Sequence, residues 1–175
     1  MKLFQTIGTG ALCCATALLV ACGSASAGGF GTYTADGKTM TLNSGYAWPL
    51  KGGKITKVAI CDVAKIDPAP LNAVTDYRYN AFYAQISKGN PGRGCVELEI
   101  NSDGQLEGMN TNNMSGLRMG IVSNDNPAAY KLDVKRNDGK RIEGTIQSTD
   151  DLKKRRNTEF NIKFDFDVAP TPSQN

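Results

Sequence analysis

The stretch TEFNIKFDFDV, Thr158 to Val168, decides the fold. Phe160, Ile162, Phe164, Phe166 and Val168 alternate with Asn161, Lys163, Asp165 and Asp167. A period of two sends successive side chains to opposite faces of an extended chain, so one face is apolar and the other charged. That is the signature of a half-buried antiparallel strand.

Working outward, the same design recurs. Val96, Leu98 and Ile100 alternate with Glu97, Glu99 and Asn101. Leu117, Met119 and Ile121 repeat it, as do Leu132 with Val134, and Ile142 continuing through Gly144 to Ile146. Asp36-Gly37, Asp103-Gly104 and Asp138-Gly139 stand between such runs, each supplying the positive-φ residue that a tight hairpin needs. They predict hairpins pairing Thr32–Ala35 with Lys38–Leu42, Val96–Asn101 with Gln105–Met109, and Tyr130–Arg136 with Lys140–Gln147. The expectation is an all-β fold of about eight to ten strands, an antiparallel β-sandwich or partly closed barrel with one short helix.

The helix is expected in DYRYNAFYAQISKG, where Tyr79, Phe82, Tyr83 and Ile86 follow i, i+3, i+4, i+7 spacing, with Asp76 to cap it and Gly89 to end it. The preceding KIDPAPLNAV, with Pro68 and Pro70, reads as loop. In GMNTNNMSGLRMG, Asn110 to Asn113 read as a turn, and Asn113-Met114-Ser115 spells a glycosylation sequon that a bacterial leader makes irrelevant. No internal repeat is evident.

The front of the chain carries Lys2 and an apolar run, Ala11 to Ala21, far shorter than the roughly 20 residues of a spanning helix. It reads as a signal-peptide core. Leu19-Val20-Ala21-Cys22, followed by Gly23-Ser24, resembles the lipobox of bacterial lipoproteins. That resemblance implies lipidation of the Cys22 thiol, cleavage before it, acylation of the new amine and a membrane anchor, with Ser24 favouring the outer membrane. The competing reading is cleavage after Ala25-Ser26-Ala27, which would release a soluble periplasmic or secreted protein from Gly28. The lipobox abuts the apolar core and is preferred. The chain therefore divides into a signal peptide 1–21, a tether 22–30, a single β-domain 31–168 and a disordered tail 169–175.

Cys13 and Cys14 leave with the leader and lipid occupies the Cys22 thiol, so Cys61 and Cys95 remain. Two thiols in an oxidising compartment are expected to form a disulfide, stapling both ends of the loop and helix between them. The alternative is two separately buried thiols. The formal net charge of +3 is too slight for a nucleic-acid binder, and none is expected.

Histidine is absent, which removes the commonest general base and the usual partner of a serine or cysteine nucleophile. Carboxylate pairs occur at Glu97/Glu99, Asp165/Asp167 and Asp150/Asp151. The first two read as the solvated faces of amphipathic strands and the third as loop, whereas carboxylate catalysis needs a buried acid. No catalytic residue, metal ligand or cofactor is assigned. Two stretches are candidate partner-binding elements. Tyr46 and Trp48 lie in NSGYAWPLKGGK, either as loop anchors or as a core plug. Lys153, Lys154, Arg155 and Arg156 lie in DDLKKRRNTE, either as a contact for anionic groups or as a solvated hairpin loop.

The arrangement of lipobox, disulfide and small β-domain resembles that of small lipobox-bearing lysozyme inhibitors, without their blocking motif. It implies an envelope-anchored lipoprotein whose β-domain binds a protein partner, as an inhibitor or immunity protein against a cell-wall-acting enzyme. Alternatives are a structural or assembly component of the envelope and a histidine-free enzyme.

Overall fold

The computed structural model describes residues 29–50, 52–73, 78–88, 93–113, 122–123 and 126–170. In chain order the strands are β1 (Gly31–Ala35), β2 (Lys38–Leu42), β3 (Ser44–Pro49), β4 (Ile55–Cys61), β5 (Gly94–Asn101), β6 (Leu106–Asn113), β7 (Val122–Ser123), β8 (Tyr130–Asn137), β9 (Arg141–Ser148) and β10 (Thr158–Asp167). The helices are α1 (Pro68–Asn72), α2 (Arg78–Ser87) and α3 (Asp150–Arg156), with a 3-10 turn at Pro127–Ala129. None of the described helices is long and apolar enough to cross a membrane.

The strands form two antiparallel sheets, ordered β2-β1-β10-β9-β8 and β3-β4-β5-β6-β7, and the fold is an all-β sandwich. All three Asp-Gly hairpins form as predicted: β1 with β2, β5 with β6 and β8 with β9. The decisive segment, β10, sits in the middle of the first sheet. Phe160, Ile162 and Phe164 are buried while Glu159, Asn161, Lys163, Asp165 and Asp167 are exposed. Its partner on one side is β1, from the other end of the domain, in register Gly31↔Ile162 to Ala35↔Thr158.

The inner faces of both sheets enclose the main core, including Tyr33, Leu42, Val58, Ile60, Val96, Leu98, Ile100, Ile142, Ile146, Phe160, Ile162 and Phe164. Fully burying each large side chain contributes roughly 1.5–3 kcal/mol. Packing is close enough to demand glycine at specific points. At Gly144 a Cβ would lie 2.5 Å from the Asp133 carbonyl oxygen and 2.7 Å from Phe164 Cζ.

A second core lies on the outer face of the second sheet, under α1 and α2. Phe82 and Ile86 of α2 and Leu71 of α1 pack on Tyr46, Trp48, Ala59, Cys61 and Cys95. Gln85 of α2 ties the helices together, its Nε2 donating to the Asp67 carbonyl (3.0 Å) and its Oε1 accepting from the Asp67 N–H (3.1 Å).

Four local expectations are corrected. KIDPAPLNAV is not all loop: Asp67 caps α1 by accepting from the Ala69 N–H, and Pro68 takes the first helical position, where a missing N–H costs nothing. Asn110 to Asn113 are not a turn but the end of β6. DDLKKRRNTE is not a hairpin loop, so Asp150 and Asp151 are helical too. Leu152 buries, acids lead and bases follow along the helix dipole, and Asn157 ends α3 in the left-handed conformation (φ 49°). The tail is not wholly frayed, because Ala169 is buried and its N–H donates to the Ala47 carbonyl (2.9 Å), beside the parallel bridge Ala47↔Val168. The expected leader, Cys22 and the Ala-x-Ala site, the expected caps Asp76 and Gly89, the Leu117–Ile121 alternation, Met114 and Ser115 of the sequon, and residues 171–175 lie outside the described residues.

Candidate partner-binding surfaces

Cys61 ends β4 and Cys95 opens β5, directly opposite in register, with Cα atoms 4.0 Å apart, and they form a disulfide. The bridge closes the segment that holds α1 and α2, as the cysteine arithmetic anticipated. Next to it Arg93 Nη1 pairs with Asp62 Oδ1 at 2.9 Å.

Tyr46 and Trp48 are not loop anchors. They occupy β3 on the face covered by α2 and are 5% and 4% exposed. The Trp48 ring lies 5.3 Å from Phe82, and Tyr46 Oη donates to Asn72 Oδ1 at 2.7 Å. Burial raises the Tyr46 phenol above its ordinary value, against the pull of the Arg78 guanidinium. Arg78 is itself buried, with Nε donating to the Leu71 carbonyl (3.0 Å) and Nη2 to the Pro170 carbonyl (3.1 Å). These two aromatics are the core plug of the helix-covered face and are too deeply buried to serve as contact residues.

The cationic run is exposed on α3. Lys153 Nζ pairs with Glu159 (2.6 Å) and Arg155 Nε with Asp151 (2.8 Å). Lys154 and Arg156 have no ion pair among the described residues. The helix is held from both ends: the Thr149 N–H donates to the Ala129 carbonyl (3.0 Å), and the Asp36 N–H donates to the Asn157 carbonyl (3.2 Å). Tyr46 and Trp48 lie on the second sheet and this helix follows β9 in the first, so the two predicted elements do not form one surface.

Of the carboxylate pairs, Asp165 and Asp167 are solvated as expected and gripped by Arg141. Nε and Nη2 reach the two oxygens of Asp165 at 2.8 and 2.9 Å, and Nη1 reaches Asp167 at 3.0 Å. Glu97 and Glu99 depart from expectation. Helix α2 lies over the outer sheet face, and the Glu97 side chain is only 3% exposed. Lys57 of β4, opposite Glu99 in register, places its Nζ 3.0 Å from Glu97 Oε2 and 3.0 Å from Glu99 Oε1. The same Nζ lies 5.0 Å from the centre of the Tyr79 ring. Burial raises the Glu97 carboxyl above the usual carboxylate range, and the attraction of Lys57 only partly offsets it. Burial pulls the Lys57 ammonium down, but the two carboxylates outweigh it and the net direction is upward.

Lys57 and Tyr79 were missed as members of a polar cluster. A signal existed: a helix whose Phe82 and Ile86 face must be buried needs a sheet face to lie on, and residues on that face become buried with it. The fold and these surfaces define a disulfide-bridged antiparallel β-sandwich with one face covered by helices. Comparison with protein-family models, with curated proteins and with solved structures finds no match to the chain in any of the three.

Proposed function

We propose that the protein is an envelope-anchored lipoprotein, lipidated on Cys22, whose β-sandwich binds a partner outside the cytosol. An inhibitor or immunity protein directed at a cell-wall-acting enzyme is the form of that role we favour. The Cys61–Cys95 disulfide supports an oxidising compartment. The observation that carries the binding role is α3, a short, firmly seated helix that displays Lys154 and Arg156 to solvent without ion pairs among the described residues.

The position of α3 bears on its target. Asn157, just after α3, bonds to Asp36 beyond the Ala35 end of β1, whereas the chain enters β1 from the Gly31 end. A five-residue strand separates the two ends by roughly 17 Å. With the tether attached at the Gly31 end, α3 stands at the opposite end of β1, and its cations suit carboxylates or an acidic protein surface.

Two measurements test the proposal. The intact mass of the native protein must show a chain beginning at Cys22 with acyl groups. Capture from solubilised envelopes must lose its specific partner in the Lys154→Gln/Arg156→Gln variant, which removes both charges while its stability stays within about 1 kcal/mol of the parent. An unlipidated chain beginning at Gly28 refutes the anchor, and an unchanged partner set refutes α3 as the contact. Recovery of a multi-subunit membrane assembly in place of a hydrolase supports a role as envelope assembly component.

A further inference from the structure

We propose that the outer face of the second sheet, beside α2, binds the ammonium or guanidinium group of a lysine or arginine side chain presented by a protein partner. This site is distinct from α3 and does not rest on the lipid anchor.

The floor is sequence-encoded. Gly108 of β6 stands opposite Glu99, and Asn110 stands opposite Glu97, so both lie on the outer face with the acids. A Cβ built at Gly108 would meet no atom of the described residues within 4 Å. Glycine weakens a strand interior, and its presence there leaves room for an approaching group. The wall is Tyr79 of α2, which is 45% exposed and the only exposed large hydrophobic side chain among the described residues. It packs edge-on against Tyr83, with ring centres 4.5 Å apart.

The chemistry calls for a cation. Two carboxylates, Glu97 and Glu99, share a single ammonium, Lys57, so the cluster has a negative excess when both are ionised. Among the described residues, Glu97 Oε1 is buried with no hydrogen-bond partner, and so is the Tyr83 hydroxyl. An orphaned carboxylate oxygen costs the folded protein free energy that a donor would return. Glu99, with 28% of its side chain exposed, gives an incoming cation a first contact. The Tyr79 ring already faces one cation in Lys57 and offers π surface to a second. An anionic ligand would meet the same excess as repulsion. Among the described residues, the groups facing the site are Lys57 from β4, Glu97 and Glu99 from β5, Tyr79 and Tyr83 from α2, and the neutral Asn110 from β6.

The test uses the full chain, with the aromatic NMR signals of Tyr79 and Tyr83 and the backbone amide signals of Glu97 and Glu99 as reporters, the last three of which persist in every variant. The probes are acetylated, amidated glycine-X-glycine tripeptides in which X is arginine, lysine, citrulline or glutamate. The arginine and lysine peptides are expected to give saturable shifts with dissociation constants of about 1–10 mM. Citrulline and glutamate are expected to give none. Tyr79→Ala and Glu99→Gln, both at partly exposed positions, should each weaken binding about 3-fold or more. Binding should also release protons, because burial raises the Glu97 carboxyl and an added cation favours its ionised form. Absence of a saturable shift with either cationic peptide, an equal shift with citrulline, or undiminished affinity in Tyr79→Ala would overturn the proposal.

Discussion

Replacing Lys57 by methionine keeps most of its volume and removes the ammonium that faces Glu97. The carboxylate then stays beneath α2, 3% exposed, with Glu99 nearby and no cation. Breaking a buried pair from one side costs about 3–5 kcal/mol, a large share of the roughly 5–15 kcal/mol that holds a domain folded. The cost is pH-dependent, with a definite sign. Burial already raises the folded Glu97 carboxyl above its ordinary value of 4.5, and removing Lys57 raises it further. Between the unfolded and folded values the native state holds a proton that the unfolded chain has released. Stability therefore falls as pH rises through that window, by about 1.4 kcal/mol per unit. Urea unfolding of Lys57→Met should show most of the deficit at about pH 8 and a much smaller one at about pH 5. Neutralising the carboxyl as well, in Lys57→Met/Glu97→Gln, should recover most of the loss at the higher pH. A deficit below about 1 kcal/mol at pH 8 would equate the pair with an exposed surface bridge and refute the reasoning. So would a deficit equal at both pH values, which would assign the loss to the packing of the lysine stem.

Three further outcomes follow from other parts of the molecule. The Asp138 carboxyl in the β8–β9 turn is lowered from 3.8 to about 2, chiefly by the N–H groups of Arg141 and Lys140 and then by Arg136. Its support of the turn is complete above the unfolded value and disappears as pH falls through the folded one, so a carbon-13 titration with its midpoint near 3.8 would contradict the geometry. Cys61→Ser/Cys95→Ser frees a link spanning 34 positions and should lower unfolding free energy by about 3–4 kcal/mol, read by chemical denaturation. Phe82→Ala should cost about 3–5 kcal/mol. It should also shift the emission of Trp48, the sole tryptophan, toward longer wavelength, because Phe82 shields that ring.

The parts of the fold that were legible in the sequence are those fixed locally. Asp36-Gly37, Asp103-Gly104 and Asp138-Gly139 mark hairpins because Gly37, Gly104 and Gly139 adopt positive φ, which few other residues tolerate. Phe82 and Ile86 mark α2 because four-residue spacing places both on one face. Cys61 and Cys95 were legible because they are the only two cysteines of the chain beyond residue 22. Long-range pairing was not legible: nothing in Thr32–Ala35 announces β10 as its neighbour. For the same reason the burial of Glu97 was hidden. CVELEI has the pattern of a half-solvated strand, and only the helix above it turns the charged side into an interior one. Tyr46 and Trp48 were undecided because the same aromatics serve as anchor or plug, and α2 makes them a plug. The run Lys153–Arg156 was read as loop because its charges outweighed its one apolar residue, Leu152, which nonetheless seats the helix.

The pairing of β1 with β10 sets a schedule for synthesis. The second sheet joins consecutive strands throughout, so a ribosome can deliver each edge as the next one is needed. The first sheet cannot be closed that way, since its earliest strand has to wait for the very last before gaining its central neighbour. A nascent chain thus carries an unfinished half until Thr158–Asp167 has been made. A chaperone would have that interval in which to hold it open.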